Sequence, residues 1–311
     1  MNNTPHKAHV INAEGNHSIP VYLWESQSTP SGVIQIFHGL GEHAARYERF
    51  AHAATKSGYV VCAHNHRGHG PEAAEIGFFA EKNGWGLLVA DARLVFEFLR
   101  ASYAGLPIVL LGHSMGSFIA QSYAMRYADE LAALILSGSS WPSRGQLIPG
   151  WLLGRVISWF RGLHGNSPLL DKTGFGAFNK PFEPARTEFD WLSRDPEEVD
   201  RYVADPLCGG PYTTGLWIDM LGGLLEISKE ASLCEIRPDL PMLITGGADD
   251  PVGGDSGMRQ LSLRYEKTGH HNLSTRIYDG GRHEMLNEIN RDEFTRDVLE
   301  WTGAQLADYQ A

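Results

Sequence analysis

The sequence has few cysteines and an excess of acidic over basic residues, and both facts exclude classes of protein. Its three cysteines, Cys62, Cys208 and Cys234, have no paired spacing, so neither a disulfide framework nor a Cys-x-x-Cys metal site is supported. Each is expected to be a small buried or half-buried side chain. The 26 Lys and Arg against 37 Asp and Glu give a net charge of −11. This balance argues against a nucleic-acid-binding protein and against a polybasic membrane-surface protein.

The chain also lacks long apolar runs. No stretch approaches the roughly 20 consecutive apolar residues of a transmembrane helix, so no stable membrane insertion is expected. The first residues contain no apolar segment of the kind found in signal peptides, which favours a cytoplasmic protein. With 42% hydrophobic residues, the chain has enough apolar material for a full core.

Short apolar segments rich in β-branched residues alternate with longer segments of helical periodicity. This alternation predicts an α/β fold with a mostly parallel central sheet of about eight strands flanked by helices. The predicted strands are residues 8–13 and 19–24, joined by a turn at 14–16, then 33–37, 59–63, 108–111, 134–136, 242–244 and 273–278. The predicted helices are residues 45–57, 87–103, 117–129, 259–267 and 284–304.

One long segment interrupts this alternation. Residues 139–238 show no clear series of strands but contain five of the eight tryptophans, Trp141, Trp151, Trp159, Trp191 and Trp217. We therefore predict a core formed by residues 1–138 and 239–311, with residues 139–238 inserted as a helical cap. Residues 151–160 of this cap are apolar and aromatic. They are expected either to pack on the core or to form an exposed lip that makes transient contact with lipid aggregates.

A strand, a Gly-x-Ser-x-Gly turn and a helix follow one another at residues 108–129. Such a turn exposes a nucleophilic serine at a helix N-terminus, which makes Ser114 the candidate nucleophile. A serine of this kind needs a base, and the base needs a carboxylate that fixes its tautomer. His283 follows the last predicted strand and is the candidate base. Asp250 is the favoured acid, and its neighbour Asp249 stays open as an alternative.

The tetrahedral intermediate of acyl transfer needs two backbone N–H donors. We expect them at Met115, directly after the nucleophile, and at Leu40, in the glycine-rich loop after the third strand. The pattern Gly-x-Gly in this loop lacks the third glycine of a dinucleotide-binding fingerprint. Three histidines at residues 64–69 lack the spacing of a zinc site, so we expect neither a metal nor a cofactor.

These motifs together resemble the α/β-hydrolase superfamily and, within it, the monoacylglycerol lipase and lysophospholipase group. The resemblance rests on the stretches at residues 38–47, 67–70 and 112–116, on the region of Asp249 and Asp250, and on residues 281–283, which together span the whole predicted core. It implies that Glu42 and Arg46 bind the alcohol end of the substrate. The alternative for this pair is a local i, i+4 ion pair at the start of a helix.

The expected function is that of a serine carboxylester hydrolase, acting on the fatty-acyl ester of a monoacylglycerol or lysophospholipid. Its partner is thus a small acyl ester. One alternative is a peptidase of the proline-aminopeptidase type, which is expected to need acidic groups in the cap; Glu197 and Glu198 are interpreted as an exposed helix start instead. The other is a non-catalytic hydrolase-like receptor, against which the intact Ser, Asp and His set argues.

Overall fold

A single sheet organises the described part of the chain. The computed structural model describes residues 6–13 and 17–309, and the predicted turn at residues 14–16 lies outside this part. Eight strands are found there: His6–Ala13 (β1), His17–Trp24 (β2), Gly32–Phe37 (β3), Tyr59–His64 (β4), Ile108–His113 (β5), Ala133–Ser137 (β6), Met242–Gly247 (β7) and Leu273–Tyr278 (β8). Their order across the sheet is β1-β2-β4-β3-β5-β6-β7-β8. β2 pairs antiparallel with β1 and with β4, and all the other pairs are parallel. The predicted mostly parallel sheet of eight strands is therefore confirmed.

Ten helices connect or follow these strands in the described residues. They are Glu48–Lys56 (α1), Gly84–Ser102 (α2), Met115–Tyr127 (α3), Arg144–Arg161 (α4), Pro168–Phe175 (α5), Pro196–Ala204 (α6), Thr214–Ile227 (α7), Glu230–Leu233 (α8), Gly254–Lys267 (α9) and Arg291–Tyr309 (α10). Strands β3 to β7 are buried along their whole length because helices cover both faces of the sheet. One face packs against α2, α3 and α9, and the other against α1 and α10.

Two sequence expectations about local structure are wrong. The last helix begins at Arg291, although periodicity places its start at residue 284. Residues before it are held instead by bonds to distant groups: Glu284 binds Arg46 and Glu288 binds Arg194. Cys234 is exposed, whereas Cys62 is buried and Cys208 is half-buried, because the short helix α8 before Cys234 packs on the core through Leu233.

The five helices α4 to α8 lie between β6 and β7, in the segment predicted as the cap. Helix α7 packs against α2 and α3 of the core and against α4, and it buries Leu216 and Ile227 in the same apolar cluster as the sheet. We keep the name cap for residues 139–238. No helix in the described residues is both long and apolar enough to cross a membrane.

Candidate active site

Ser114 occupies the turn between β5 and α3. Its backbone has φ 52° and ψ −123°, a conformation that side-chain-bearing residues rarely adopt and that is found at functional turns. Gly116 permits this turn, because a Cβ there would stand 2.1 Å from the carbonyl oxygen of Phe37. The turn is fixed by a 2.9 Å hydrogen bond from the Ser114 N–H to the Ser137 carbonyl. Half-buried Ser114 thus faces a cavity at the carboxyl edge of the sheet.

His283 and Asp250 lie after β8 and β7, on the same edge. His283 Nδ1 is 2.9 Å from each carboxylate oxygen of Asp250, and both side chains are almost fully buried. Asp249, the alternative acid, is exposed. Burial opposes protonation of His283, but the charge and hydrogen bonding of Asp250, with smaller contributions from Glu284 and Glu42, raise its pKa above the usual 6.5. Asp250 therefore holds the ring and favours its charged form.

The loop after β3 passes directly over Ser114. A Cβ on Gly39 would lie 3.1 Å from the Cβ of Ser114, a tight contact that the glycine avoids. The next residue, Leu40, lines the cavity beside Ser114. Met115 is the first residue of α3, and its N–H therefore has no acceptor within the helix. Both predicted oxyanion donors are thus near the serine.

The histidine-rich stretch after β4 supports this loop. The N–H of Gly41 points at His69 Nε2 over 3.2 Å, and the N–H of His66 donates to His38 Nε2 over 3.0 Å. Asn65 accepts a 2.8 Å bond from the N–H of Ala44. Burial lowers the pKa of His69 to about 4, so the ring stays neutral and accepts this bond at physiological pH.

Glu42 and Arg46 are joined in a buried ion network. Glu42 Oε1 accepts from the N–H of Gly39 over 2.6 Å and from the Tyr47 hydroxyl over 2.8 Å. Its other oxygen is 2.9 Å from Arg46 Nη1, and Arg46 also binds both oxygens of Glu284 at 2.6 and 2.7 Å. Burial opposes ionisation of Glu42, but Arg46 and the hydrogen bonds hold its pKa below the usual value. The network ties the loop after β3 to the residue that follows His283.

The two predicted alcohol-binding residues are therefore placed differently. Glu42 lines the cavity next to Ser114, whereas Arg46 lies behind it, lines only a small separate cavity, and is committed to two carboxylates. The local i, i+4 ion pair weighed from the sequence is present, and Arg46 additionally stacks on the cap residue Tyr202 at 4.9 Å.

The cavity around Ser114 has a volume of about 400 Å³, within the range of small-molecule sites. Its walls come from both core and cap and are mainly aromatic and aliphatic: Leu40, Phe118, Trp141, Leu147, Phe175, Phe178, Trp191, Leu192, Tyr202, Trp217, Met220, Leu221, Leu224 and Val252. The arrangement places the Ser114 hydroxyl, the His283 imidazole and the residue Leu40 on the wall of one apolar chamber.

A second cavity of about 510 Å³ shares Leu40, Phe175, Trp191 and Tyr202 with the first and is more polar.

The two acidic cap residues interpreted as an exposed helix start, Glu197 and Glu198, are not part of either cavity. Glu197 is exposed as expected, but the expectation is wrong for Glu198, which is only 5% exposed. Its carboxylate binds Arg49 of the core and Arg201 of the cap, and this pairing makes its burial tolerable.

One group of metal-type ligands occurs in the described residues: His43, Asp205 and Cys208 have donor atoms within 4.8 Å of one another. His43 Nε2 is already hydrogen-bonded to Asp205 at 2.8 Å. Burial raises the pKa of the Cys208 thiol, which disfavours the thiolate that a metal requires. These three residues are better described as a contact between the cap and the loop after β3.

Three residues near the site are given no role in it by the sequence-based predictions. Glu284 binds Arg46, Arg282 reaches into the cap, and Trp191 places its ring 5.0 Å from that of His283. The two charged residues flank His283 directly, and this adjacency is the signal that could have found them. Trp191 lies 92 positions from His283, and no local pattern connects the two.

Comparisons with known proteins agree with this geometry. The family model described as serine aminopeptidase, S33, matches residues 28–290. A monoacylglycerol lipase of Mycolicibacterium smegmatis is 28% identical over 299 residues, covering 96% of this chain and 97% of that protein. The human monoglyceride lipase is 26% identical, covering 94% and 87%.

Among solved structures, a thermostable carboxyl esterase from Bacillus coagulans in complex with glycerol is 26% identical and covers 96% of this chain and 98% of its own, with a TM-score of 0.88. The family match extends over far more than half of the sequence, and the relatives cover nearly the whole of it. The chain therefore belongs to the α/β-hydrolase family described as serine aminopeptidase, S33, as a carboxylic ester hydrolase that resembles the monoacylglycerol lipases.

Proposed function

We propose that the protein cleaves the fatty-acyl ester of a monoacylglycerol or a lysophospholipid through an acyl-enzyme intermediate. One observation carries this proposal: Ser114 on its positive-φ turn and His283 held by Asp250 line the same apolar cavity. This combination supports nucleophilic catalysis on an acyl group that has an apolar chain.

In the first half of the reaction, His283 takes the proton of the Ser114 hydroxyl as the oxygen attacks the ester carbonyl. The negative charge that develops on the carbonyl oxygen is stabilised by the N–H groups of Leu40 and Met115. Asp250 keeps His283 in the tautomer whose Nε2 accepts the proton, and it stabilises the imidazolium. The protonated His283 then gives its proton to the departing alcohol, and the acyl group stays on Ser114.

In the second half, His283 removes a proton from a water molecule, which attacks the acyl-serine. The same two N–H groups stabilise the second oxyanion, and His283 returns the proton to Ser114 as the fatty acid leaves. No step in this scheme requires a cofactor.

The acyl chain is assigned to the aromatic cavity, and the hydroxyl groups of the alcohol to Glu42. Glu42 is ionised and lies on the cavity wall, so it can accept hydrogen bonds from an alcohol. Arg46 acts through Glu42, because its guanidinium is occupied by Glu42 and Glu284. The B. coagulans esterase was solved in complex with glycerol, which supports an alcohol of this kind.

Helix α4 is proposed to contact the aggregated lipid from which the substrate comes. Trp159 and Phe160 are 87% and 81% exposed, and Leu152 and Val156 are more than half exposed. Arg155 and Arg161 accompany them on the same helix. Exposed aromatic residues beside cations are typical of segments that bind at a lipid–water interface.

Ser114→Ala is the decisive variant. We expect loss of esterase activity on monoacylglycerols by a factor of 10³ or more, together with loss of labelling by a fluorophosphonate probe. Replacing a half-buried hydroxyl by hydrogen preserves the turn, so circular dichroism and thermal unfolding should match the unmodified protein. Wild-type esterase activity in this variant would refute the mechanism.

A substrate panel separates the proposal from its alternatives. Monoacylglycerols, lysophospholipids, simple esters and N-terminal peptide amides are compared by kcat/KM with the unmodified protein. The highest values on one of the first two classes are expected. Preference for peptide amides would favour the aminopeptidase alternative, and an unlabelled Ser114 would favour the non-catalytic receptor.

A further inference from the structure

The loop that carries His283 runs beside a segment of the cap. We name residues 280–288 the histidine loop and residues 190–194 the docking segment. The N–H of Glu284 donates to the carbonyl of Leu192 over 2.8 Å, and the N–H of His283 points at the carbonyl of Trp191 over 3.4 Å. The backbone on which the imidazole is mounted is therefore bonded to the cap.

Arg282 fastens the two segments together. Its guanidinium donates to the carbonyl of Asp190 and, over 3.1 Å, to that of Ser193. The same group lies 4.1 Å from the ring centroid of Phe182, another cap residue. One planar cation thus holds both ends of the docking segment and stacks on an aromatic face, which suits arginine better than lysine.

A buried carboxylate completes this connection from the other side. Glu288 has no exposed surface, and one of its oxygens accepts from the N–H groups of both Arg282 and Arg194, over 3.1 and 2.9 Å. Its other oxygen binds Arg194 Nε at 2.9 Å. Glu288 therefore joins the histidine loop and the docking segment through charge-assisted bonds, which are stronger than neutral ones.

The docking segment also forms part of the substrate cavity. Trp191 lines that cavity, and its ring lies 5.0 Å from the ring of His283. A displacement of the docking segment would therefore change the shape of the cavity and the position of the base together.

We propose that Arg282 is a positioning residue, which fixes the backbone of the catalytic base by holding the histidine loop against the cap. Asp250 orients the imidazole ring, whereas Arg282 sets where that ring stands relative to Ser114. His283 holds its catalytic position only while the docking segment is bound to the histidine loop. This inference rests on the proposed function, because it assigns His283 the role of base.

The test compares Arg282→Met, which keeps the length of the side chain but removes its donors, with Arg282→Lys. A loss of alignment at a catalytic base costs roughly one to two orders of magnitude in rate. We expect kcat on a soluble short-chain ester to fall about tenfold to 100-fold in Arg282→Met with KM changed less than threefold. The decrease in kcat should be smaller in Arg282→Lys. The low-pH limb of kcat/KM should move toward 6.5, because a displaced His283 interacts less with Asp250.

Arg259→Met is the matched control. Arg259 is exposed, pairs with Asp255 of its own helix among the described residues, and lies outside both cavities, so unchanged kcat is expected. Phe182→Leu tests the stacking contact without removing a charge and should give a smaller decrease in kcat.

Two outcomes overturn the inference. One is an Arg282→Met protein with wild-type kcat and an unshifted pH profile, and the other is a variant in which thermal stability alone falls. If the unmodified protein reacts with neither esters nor a fluorophosphonate probe, the proposed function itself fails. If the unmodified protein is active and Arg282→Met matches it, the positioning role alone fails.

Discussion

At the scale of single residues, the structure distinguishes side chains that the sequence presents as equivalent. Asp249 and Asp250 are adjacent in the sequence and chemically identical. The first is exposed, and the second is buried against His283 Nδ1. Asp250 also accepts a 2.8 Å bond from the N–H of Val252, which fixes its orientation. Burial and hydrogen bonding thus favour Asp250 over Asp249 as the proposed acid, a choice that the sequence alone leaves open.

The pair offers a matched test, Asp250→Asn against Asp249→Asn. An amide at position 250 removes the charge and can donate to Nδ1, which favours the wrong tautomer of His283. A loss of kcat by a factor of about 10⁴ is expected, whereas Asp249→Asn should remain within about twofold. Equal losses in both variants, measured on the same ester, would contradict the assignment of Asp250.

The pH dependence of activity in the unmodified enzyme tests whether the pKa of His283 is raised or lowered. The base must be neutral, and Asp250 raises the pKa of His283, so activity should be lost as pH falls through a value above 6.5. In Asp250→Asn, burial of His283 dominates and the residual activity should persist to lower pH.

At the scale of helices and strands, apolar segments of the sequence predicted the strands. The start of α10 was predicted wrongly because contacts between distant residues determine it. Each predicted strand overlaps an observed one. For β3 to β7 the reason is burial on both faces of the sheet, which selects continuous apolar residues. The start of α10 could not be predicted, since Glu284 and Glu288 bind Arg46 and Arg194, which are far away in the sequence. Periodicity does not reveal such partners.

The exposed aromatic residues of helix α4 are predicted to bind lipid surfaces. The double variant Trp159→Ser and Phe160→Ser removes two exposed aromatic side chains without touching the cavity. Each contributes roughly 1.5–3 kcal/mol when fully buried in an apolar environment, so binding to phosphatidylcholine vesicles that contain monoolein should weaken at least tenfold. The value of kcat/KM on a soluble short-chain ester should not change. Sedimentation with the vesicles measures the first quantity.

Leu263→Ser provides the control for this variant. Leu263 is 53% exposed on α9 and is not part of either cavity, so vesicle binding should be retained. If Leu263→Ser and the double variant both bind vesicles more weakly, vesicle binding depends on the overall hydrophobicity of the surface. It would then not depend on a defined site on α4.

At the scale of the whole molecule, the cap is joined to the core by charges as well as by apolar packing. Glu198 of α6 accepts from Arg49 of α1, and it also lies 3.9 Å from Arg291 at the start of α10. The sequence suggests only an acidic first turn of a helix at this position. The partners that bury Glu198 come from elements that local sequence cannot bring together.

Glu198→Gln should therefore destabilise the fold. Removing one partner leaves the arginines without their counter-charge, and because these arginines are partly exposed, a loss of about 1–3 kcal/mol in the free energy of unfolding is expected. The neighbouring Glu197 is 81% exposed, and Glu197→Gln should stay within about 0.5 kcal/mol. Urea unfolding of both variants measures the difference, and equal stabilities would show that Glu198 does not join cap and core.

The pairing of β6 with β7 has an evolutionary consequence. These strands are direct neighbours in the sheet, so the sheet itself fixes both ends of the long chain segment between them. Because closure entropy grows only with the logarithm of length, extending such a connection tenfold costs about 2 kcal/mol. Mutation can therefore lengthen or shorten this connection without separating β6 from β7. As long as residues 190–194 still hold the loop that carries His283, the cavity walls can vary while Ser114, Asp250 and His283 keep their positions.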